Sequence, residues 1–184
     1  VWMIGKSSVA ITDALEADKV AGGGVFVHFD NISGKKAEVY VDTEVHNSGK
    51  RTRTVAVETV LADAGDVPVK RVSQQVKLQA GESKTVRQRF AVRNPKLWSP
   101  DSPYLYRIQS RVKAGHEVLD GGVTRVGIRK AEFKGKDGFW LNGKPFGQLV
   151  GANRHQDFAY VGNALPNSQQ WRDAKRLRDA GCTI

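Results

Sequence analysis

The chain has 184 residues, 40% of them hydrophobic and 26% charged, which fits one ordinary domain plus a fragment and excludes a disordered tract. No run approaches the ~18 consecutive apolar residues of a membrane-spanning helix. Lys and Arg number 29 against 19 Asp and Glu, giving +10 at neutral pH, and the single cysteine, Cys182, excludes an internal disulfide and leaves the compartment unread.

The first residues, Val1-Trp2-Met3-Ile4-Gly5, carry neither the charged nor the apolar region of a signal peptide. Gly22-Gly23-Gly24 precedes a strand and no helix, so it reads as a linker and not as a phosphate loop. From Val25 to about Phe133 short period-2 stretches alternate with turn signals. Val25–Phe29 comes first. Val39, Val41 and Val45 then share one face, with Glu38, Asp42 and Glu44 on the other. Val55, Val57 and Leu61 follow; then Val72, Val76 and Leu78; then Val86, Phe90 and Val92; then Tyr104, Tyr106, Ile108 and Val112; and last Val118 to Ile128. Seven half-apolar strands at this spacing predict an all-β, seven-stranded immunoglobulin-like β-sandwich, although a β-barrel fits the same alternation.

Between the fifth and sixth strands, Asn94 to Pro103 holds three prolines and cannot be a central strand. It reads as a stiff crossing that plugs the sandwich end with Leu97 and Trp98; the alternative is Trp98 as a sugar-stacking platform. The basic residues, such as Lys70, Arg71, Lys84, Arg87, Arg89, Arg107 and Arg111, are dispersed among strands with no run of five. They read as solvated faces and not as a polyanion site, and no nucleic-acid motif accompanies them.

Residues 134–184 change character. Asn142-Gly143 predicts a hairpin, with Pro145 to Val150 as its return strand. A polar loop, residues 151–167, leads to a helix capped by Asn167 or Ser168, with Gln170 in capping-box position. Trp171, Ala174, Leu177 and Ala180 give that helix a buried stripe, Gly181 ends it, and Thr183-Ile184 opens another strand. Strand, loop, helix and strand form a βαβ unit, which needs a parallel sheet this chain does not supply; the chain reads as incomplete.

In such units the loop after the strand carries the site. Here it runs Gly151-Ala152-Asn153-Arg154-His155-Gln156-Asp157, and its donors and acceptors suit sugar hydroxyls or simply satisfy one another. A metal is not expected, because no second His or Cys cluster adds ligands, and His28, His46 and His116 stand alone as surface or packing residues.

Three segments together resemble glycoside hydrolase family 2, the family of β-galactosidases, β-glucuronidases and β-mannosidases. They are Asn94-Pro95-Lys96-Leu97-Trp98-Ser99-Pro100 with Pro103-Tyr104-Leu105-Tyr106; Val126-Gly127-Ile128-Arg129-Lys130; and Leu141-Asn142-Gly143-Lys144-Pro145 with Gly151-Ala152-Asn153-Arg154-His155. The resemblance implies that residues 1–24 are the tail of a preceding sugar-binding domain with a linker. It makes 25–133 the sandwich and 134–184 a hairpin and the first βα unit of a truncated (β/α)8 barrel. It further implies a retaining glycosidase, β-galactosidase-like, with two catalytic glutamates outside this chain, so that the fragment alone is inactive. No cofactor is called for. The expected partners are a carbohydrate substrate and other domains of the same chain, with no nucleic acid and no membrane. The substrate-binding residues it carries over are Asn153, Arg154, His155 and Asp157. Gln156 stands where β-galactosidases commonly have Glu, and His155-Gln156-Asp157 is also similar to the His-Glu-Asp of β-glucuronidases.

Overall fold

The alternation seen along the sequence becomes two stacked antiparallel sheets in the computed structural model, which describes residues 3–183. The expectations for Val1-Trp2 and Ile184 lie outside the described residues. Two compact units divide at Lys130/Ala131.

In the first unit, one sheet is centred on β3 (Lys36–Asn47). Along one edge of β3 lie β2 (Val25–Asp30) and, beyond its end, β1 (Val9–Ile11); along the other edge lies β6 (Ser83–Arg93). The second sheet has the order β5-β4-β7-β8, built from β4 (Arg53–Ala62), β5 (Pro68–Leu78), β7 (Tyr106–Ala114) and β8 (Glu117–Val126). Two separate sheets decide for the sandwich over the closed barrel. β1 falls within the segment read as linker. All three of its residues are buried, so it lacks the alternation that marks a one-sided strand.

Inward-facing residues form two apolar clusters between the sheets. One gathers Val39, Val41, Leu61, Phe90, Ile108 and Ile128; the other gathers Val9, Val45, Val57, Leu78, Val86 and Val112. Gln88 is buried between them and its Nε2 donates to Val57 O at 2.9 Å, tying β6 to the opposite sheet. Asn47, fully buried, donates from Nδ2 to the carbonyls of Arg51 (2.9 Å), Leu78 (3.3 Å) and Gln79 (2.9 Å), closing that end of the sandwich.

The proline crossing is anchored as a plug. Tyr106, 5% exposed at the start of β7, accepts a hydrogen bond on its hydroxyl from Lys96 N at 2.9 Å, the tyrosine-corner arrangement of immunoglobulin-like sandwiches. Trp98 N donates to Ile128 O at 2.8 Å, and the Arg129 guanidinium lies 5.0 Å from the Trp98 ring. Trp98 is thus committed to packing, and the stacking-platform alternative loses its free ring face.

The outward face of β3 alternates carboxylates that are nearly buried. Arg87, directly opposite Asp42, grips it with Nε and Nη2 at 2.8 and 2.6 Å. Glu38 accepts from Lys36 at 2.9 Å, Arg89 at 2.6 Å and Asn31 at 3.1 Å, and Glu44 pairs with Lys19. Each carboxylate is therefore matched by a cation.

In the second unit, β9 (Ala131–Phe133), β10 (Phe139–Leu141) and β11 (Lys144–Pro145) form a small sheet in the order β11-β10-β9, with a 3₁₀ turn at Gly135–Asp137. The Asn142-Gly143 turn has φ of 53° and 78°, as a type I′ hairpin demands. The return strand ends at Pro145, shorter than expected to Val150, because the ladder with β10 closes with the hydrogen bond from Phe146 N to Phe139 O at 2.9 Å, where β10 itself begins.

Candidate functional site

The loop of residues 151–166 links residues 146–150 to helix α1 (Asn167–Asp179). Pro166, not Asn167 or Ser168, is the N-cap, and no side chain caps the helix. The reason lies in Gln170. Its side-chain oxygen accepts a hydrogen bond from Arg154 Nη1 at 2.6 Å instead of turning back to the helix backbone. The expected C-terminus is as read. Gly181 has φ of 92°; Gly181 N donates to Arg178 O and Cys182 N to Leu177 O, a Schellman closure. The stripe is not buried: Trp171 is 67% exposed and no residue of α1 is buried. A helix stripe is covered only by the sheet on which it packs.

Past the helix, Thr183 returns to the strand-like segment. Thr183 N donates to Val150 O at 2.7 Å, and Val150 N donates to Thr183 Oγ1 at 2.9 Å. The chain leaving α1 thus sits beside residue 150, where the loop begins.

Within the loop, Arg154 is half-buried and each of its three guanidinium nitrogens makes a hydrogen bond. Nε and Nη2 donate to Asp173 Oδ2 at 3.1 and 2.7 Å, and Nη1 takes Gln170. The hydrogen bonds from Arg154 hold the Asp173 carboxyl below the usual carboxylate range, with Arg172 and Arg176 adding to the effect. Asn153, His155 and Asp157 are exposed, so their donors and acceptors face outward. Further along, Phe158 and Gly162 pair across a tight turn whose tip, Tyr160, has φ of 73° and is fully exposed.

Of the four residues expected to bind substrate, then, Arg154 is tied to the helix and the other three line the loop's open surface. The sequence reading missed Gln170 and Asp173 as its partners. The available signal was their spacing: three apart, on one helix face, opposite an arginine in the preceding loop. Among the described residues, no three His, Cys, Asp or Glu side chains gather in a way that could hold a metal ion.

Comparison with known proteins places these features. The family described as Glycosyl hydrolases family 2 matches residues 24–129. A β-galactosidase of Thermoanaerobacter pseudethanolicus is 33% identical over 84% of this chain, and a β-glucuronidase of Formosa agariphila is 29% identical over 89%. This chain spans 20% and 17% of their lengths. Among solved structures, a glycosyl hydrolase family 2 member from Bacteroides cellulosilyticus superposes with a TM-score of 0.81 at 34% identity, over 86% of this chain and 20% of its own. A β-glucuronidase from the same family gives 0.84 at 29% identity, over 96% of this chain and 18% of its own.

Proposed function

The chain belongs to glycosyl hydrolases family 2, and from that premise we propose that it is part of a retaining, exo-acting, β-galactosidase-like glycosidase that hydrolyses terminal β-glycosides. The observation that carries this reading is the match to a β-galactosidase at 33% identity over 84% of the chain. In this reading residues 1–24 end a sugar-binding domain, 25–133 brace the enzyme, and 134–184 open the catalytic barrel. The hydrogen bonds between Thr183 and Val150 support the last assignment, since they set the start of a second strand beside the end of the first. The exposed Trp171 stripe is what such a helix lays on its barrel.

The chemistry divides accordingly. Two glutamates on later barrel strands act as acid/base and nucleophile, and no carboxylate of this chain takes either role. The loop forms one wall of the sugar subsite. Asn153, His155 and Asp157 offer a mixed donor and acceptor set to the sugar hydroxyls. Arg154 is a positioning residue, because each of its guanidinium nitrogens already donates to Asp173 or Gln170 and ties the loop to α1.

A β-glucuronidase-type specificity is the second reading, favoured by the Formosa agariphila relative and by the Bacteroides uniformis β-glucuronidase structure (TM-score 0.83, 25% identity). Screening the full-length protein on aryl β-galactoside, β-glucuronide and β-mannoside decides between them. Turnover of the galactoside alone supports the first reading. Turnover of the glucuronide alone supports the second, and turnover of none overturns the glycosidase assignment.

A further inference from the structure

The cations that look scattered along the sequence converge on one side of the sandwich. Register fixes which residues share the outward face of the β5-β4-β7-β8 sheet. Val57, Leu61, Ile108 and Val112 point into the core, so the intervening positions point out. Those positions bring Arg71 and Lys77 on β5, Arg107, Arg111 and Lys113 on β7, and Arg125 on β8 onto a single surface. Neighbouring strands lie ~4.8 Å apart and same-face residues ~6.8 Å apart along a strand, so these cations form a two-dimensional array.

Few carboxylates answer them. Glu58 lies at the centre of the face, 8% exposed, between Arg71 Nη1 at 3.5 Å and Arg111 Nη1 at 3.7 Å. Asp66 pairs with Arg107 at 2.7 Å. Among the described residues Lys77, Lys113 and Arg125 meet no carboxylate. The outward face of β3 is the contrast, since there Glu38, Asp42 and Glu44 are each matched by a cation. One side of the sandwich is neutralised and the other is left positive.

We infer that the outward face of the β5-β4-β7-β8 sheet binds an acidic polysaccharide, an extended chain bearing carboxylate or sulfate groups. The cations supply charge complementarity. Between them Ser73, Gln75 and Gln109 offer uncharged hydrogen-bonding groups to sugar hydroxyls. At the centre of the face the outward apolar residues Val60 and Ala62 are 2% and 0% exposed, and the accessible Val118 and Val123, at 53% and 61%, lie on the edge strand β8, so the centre lacks the accessible apolar core of a permanent protein interface. None of the outward strand positions is aromatic, so there is no stacking platform for single-stranded nucleic acid. The choice of a glycan among polyanions rests on the glycosidase reading above; the charge of the face does not.

The test is retention of this chain on immobilised polygalacturonate, neutral galactan, polyglutamate and single-stranded DNA at low and rising salt. Binding to polygalacturonate that weakens with salt, with none to galactan, is expected. Lys77→Gln/Lys113→Gln/Arg125→Gln, which breaks none of the ion pairs, is expected to weaken it by about tenfold or more. Lys35→Gln/Lys50→Gln/Lys144→Gln, an equal loss of exposed charge elsewhere, is expected to leave most of it. Equal loss in both triples, no retention on polygalacturonate, or tighter retention on polyglutamate or DNA would each overturn the proposal. Because retention is read without turnover, it fails or succeeds independently of the glycoside screen.

Discussion

Gly127 lies directly against Trp98: a Cβ on Gly127 would stand 2.8 Å from Trp98 Cγ and Cδ1 and 2.9 Å from its Cβ. The indole is pinned by its own backbone, which donates to Ile128, so it cannot move aside cheaply. Gly127→Ala is expected to destabilise the sandwich by about 1–3 kcal/mol, the usual effect of overpacking. Urea unfolding followed by tryptophan fluorescence measures it, and an unchanged midpoint would show that the plug is loose.

The tyrosine corner makes a second expectation. Tyr106→Phe keeps the ring in the core but leaves the Lys96 N–H without its acceptor. A loss of about 1–2 kcal/mol is expected in the same unfolding measurement.

Acid should weaken the first sheet through Glu38. Hydrogen bonds from Lys36, Asn31 and Arg89 hold its carboxyl at about 2, below the ordinary 4.5. A carboxyl depressed on folding contributes stability that is present above 4.5 and is lost as pH falls through about 2. Glu38→Gln is therefore expected to be less stable than the unaltered chain at pH values above 4.5, with the gap closing towards pH 2. Unfolding midpoints across that range check it; a gap independent of pH would assign the effect to packing.

The loop predictions separate positioning from contact. Arg154→Ala is expected to speed amide exchange at both the loop and the first turns of α1. Arg154→Lys restores little of this, since one ammonium cannot span Asp173 and Gln170 together. In the full-length enzyme His155→Ala is expected to lower kcat/KM with little change in Tm. An unchanged kcat/KM would make His155 structural.

Pure chain of residues 1–184 is expected to give no turnover of aryl β-galactosides, because neither catalytic glutamate is assigned to it. Measurable turnover that copurifies with the chain would refute that division of labour.

Much of this was legible in the residues. Alternation over Val39 to Val45 set which side of β3 enters the core, since a strand buried on one face must repeat every two residues. Asn142-Gly143 announced its hairpin because both turn positions need positive φ. β1 was not legible, for a strand buried on both faces has no alternation to read. The helix cap was misplaced for a different reason. Gln170 has one side chain and two possible partners, and Arg154 is a partner that local sequence cannot rank.

The basic charge shows the boundary most clearly. Composition alone determined that the chain carries an excess of cations, and periodicity determined that they sit on strands facing outward. Arg71, Arg111 and Arg125 lie on three different strands, and only the pairing of β5 with β4, β4 with β7 and β7 with β8 brings them to one surface. Strand order is a non-local choice made by packing two sheets around one core. It turned dispersed charge into a patch, while it paired off the carboxylates of the opposite face.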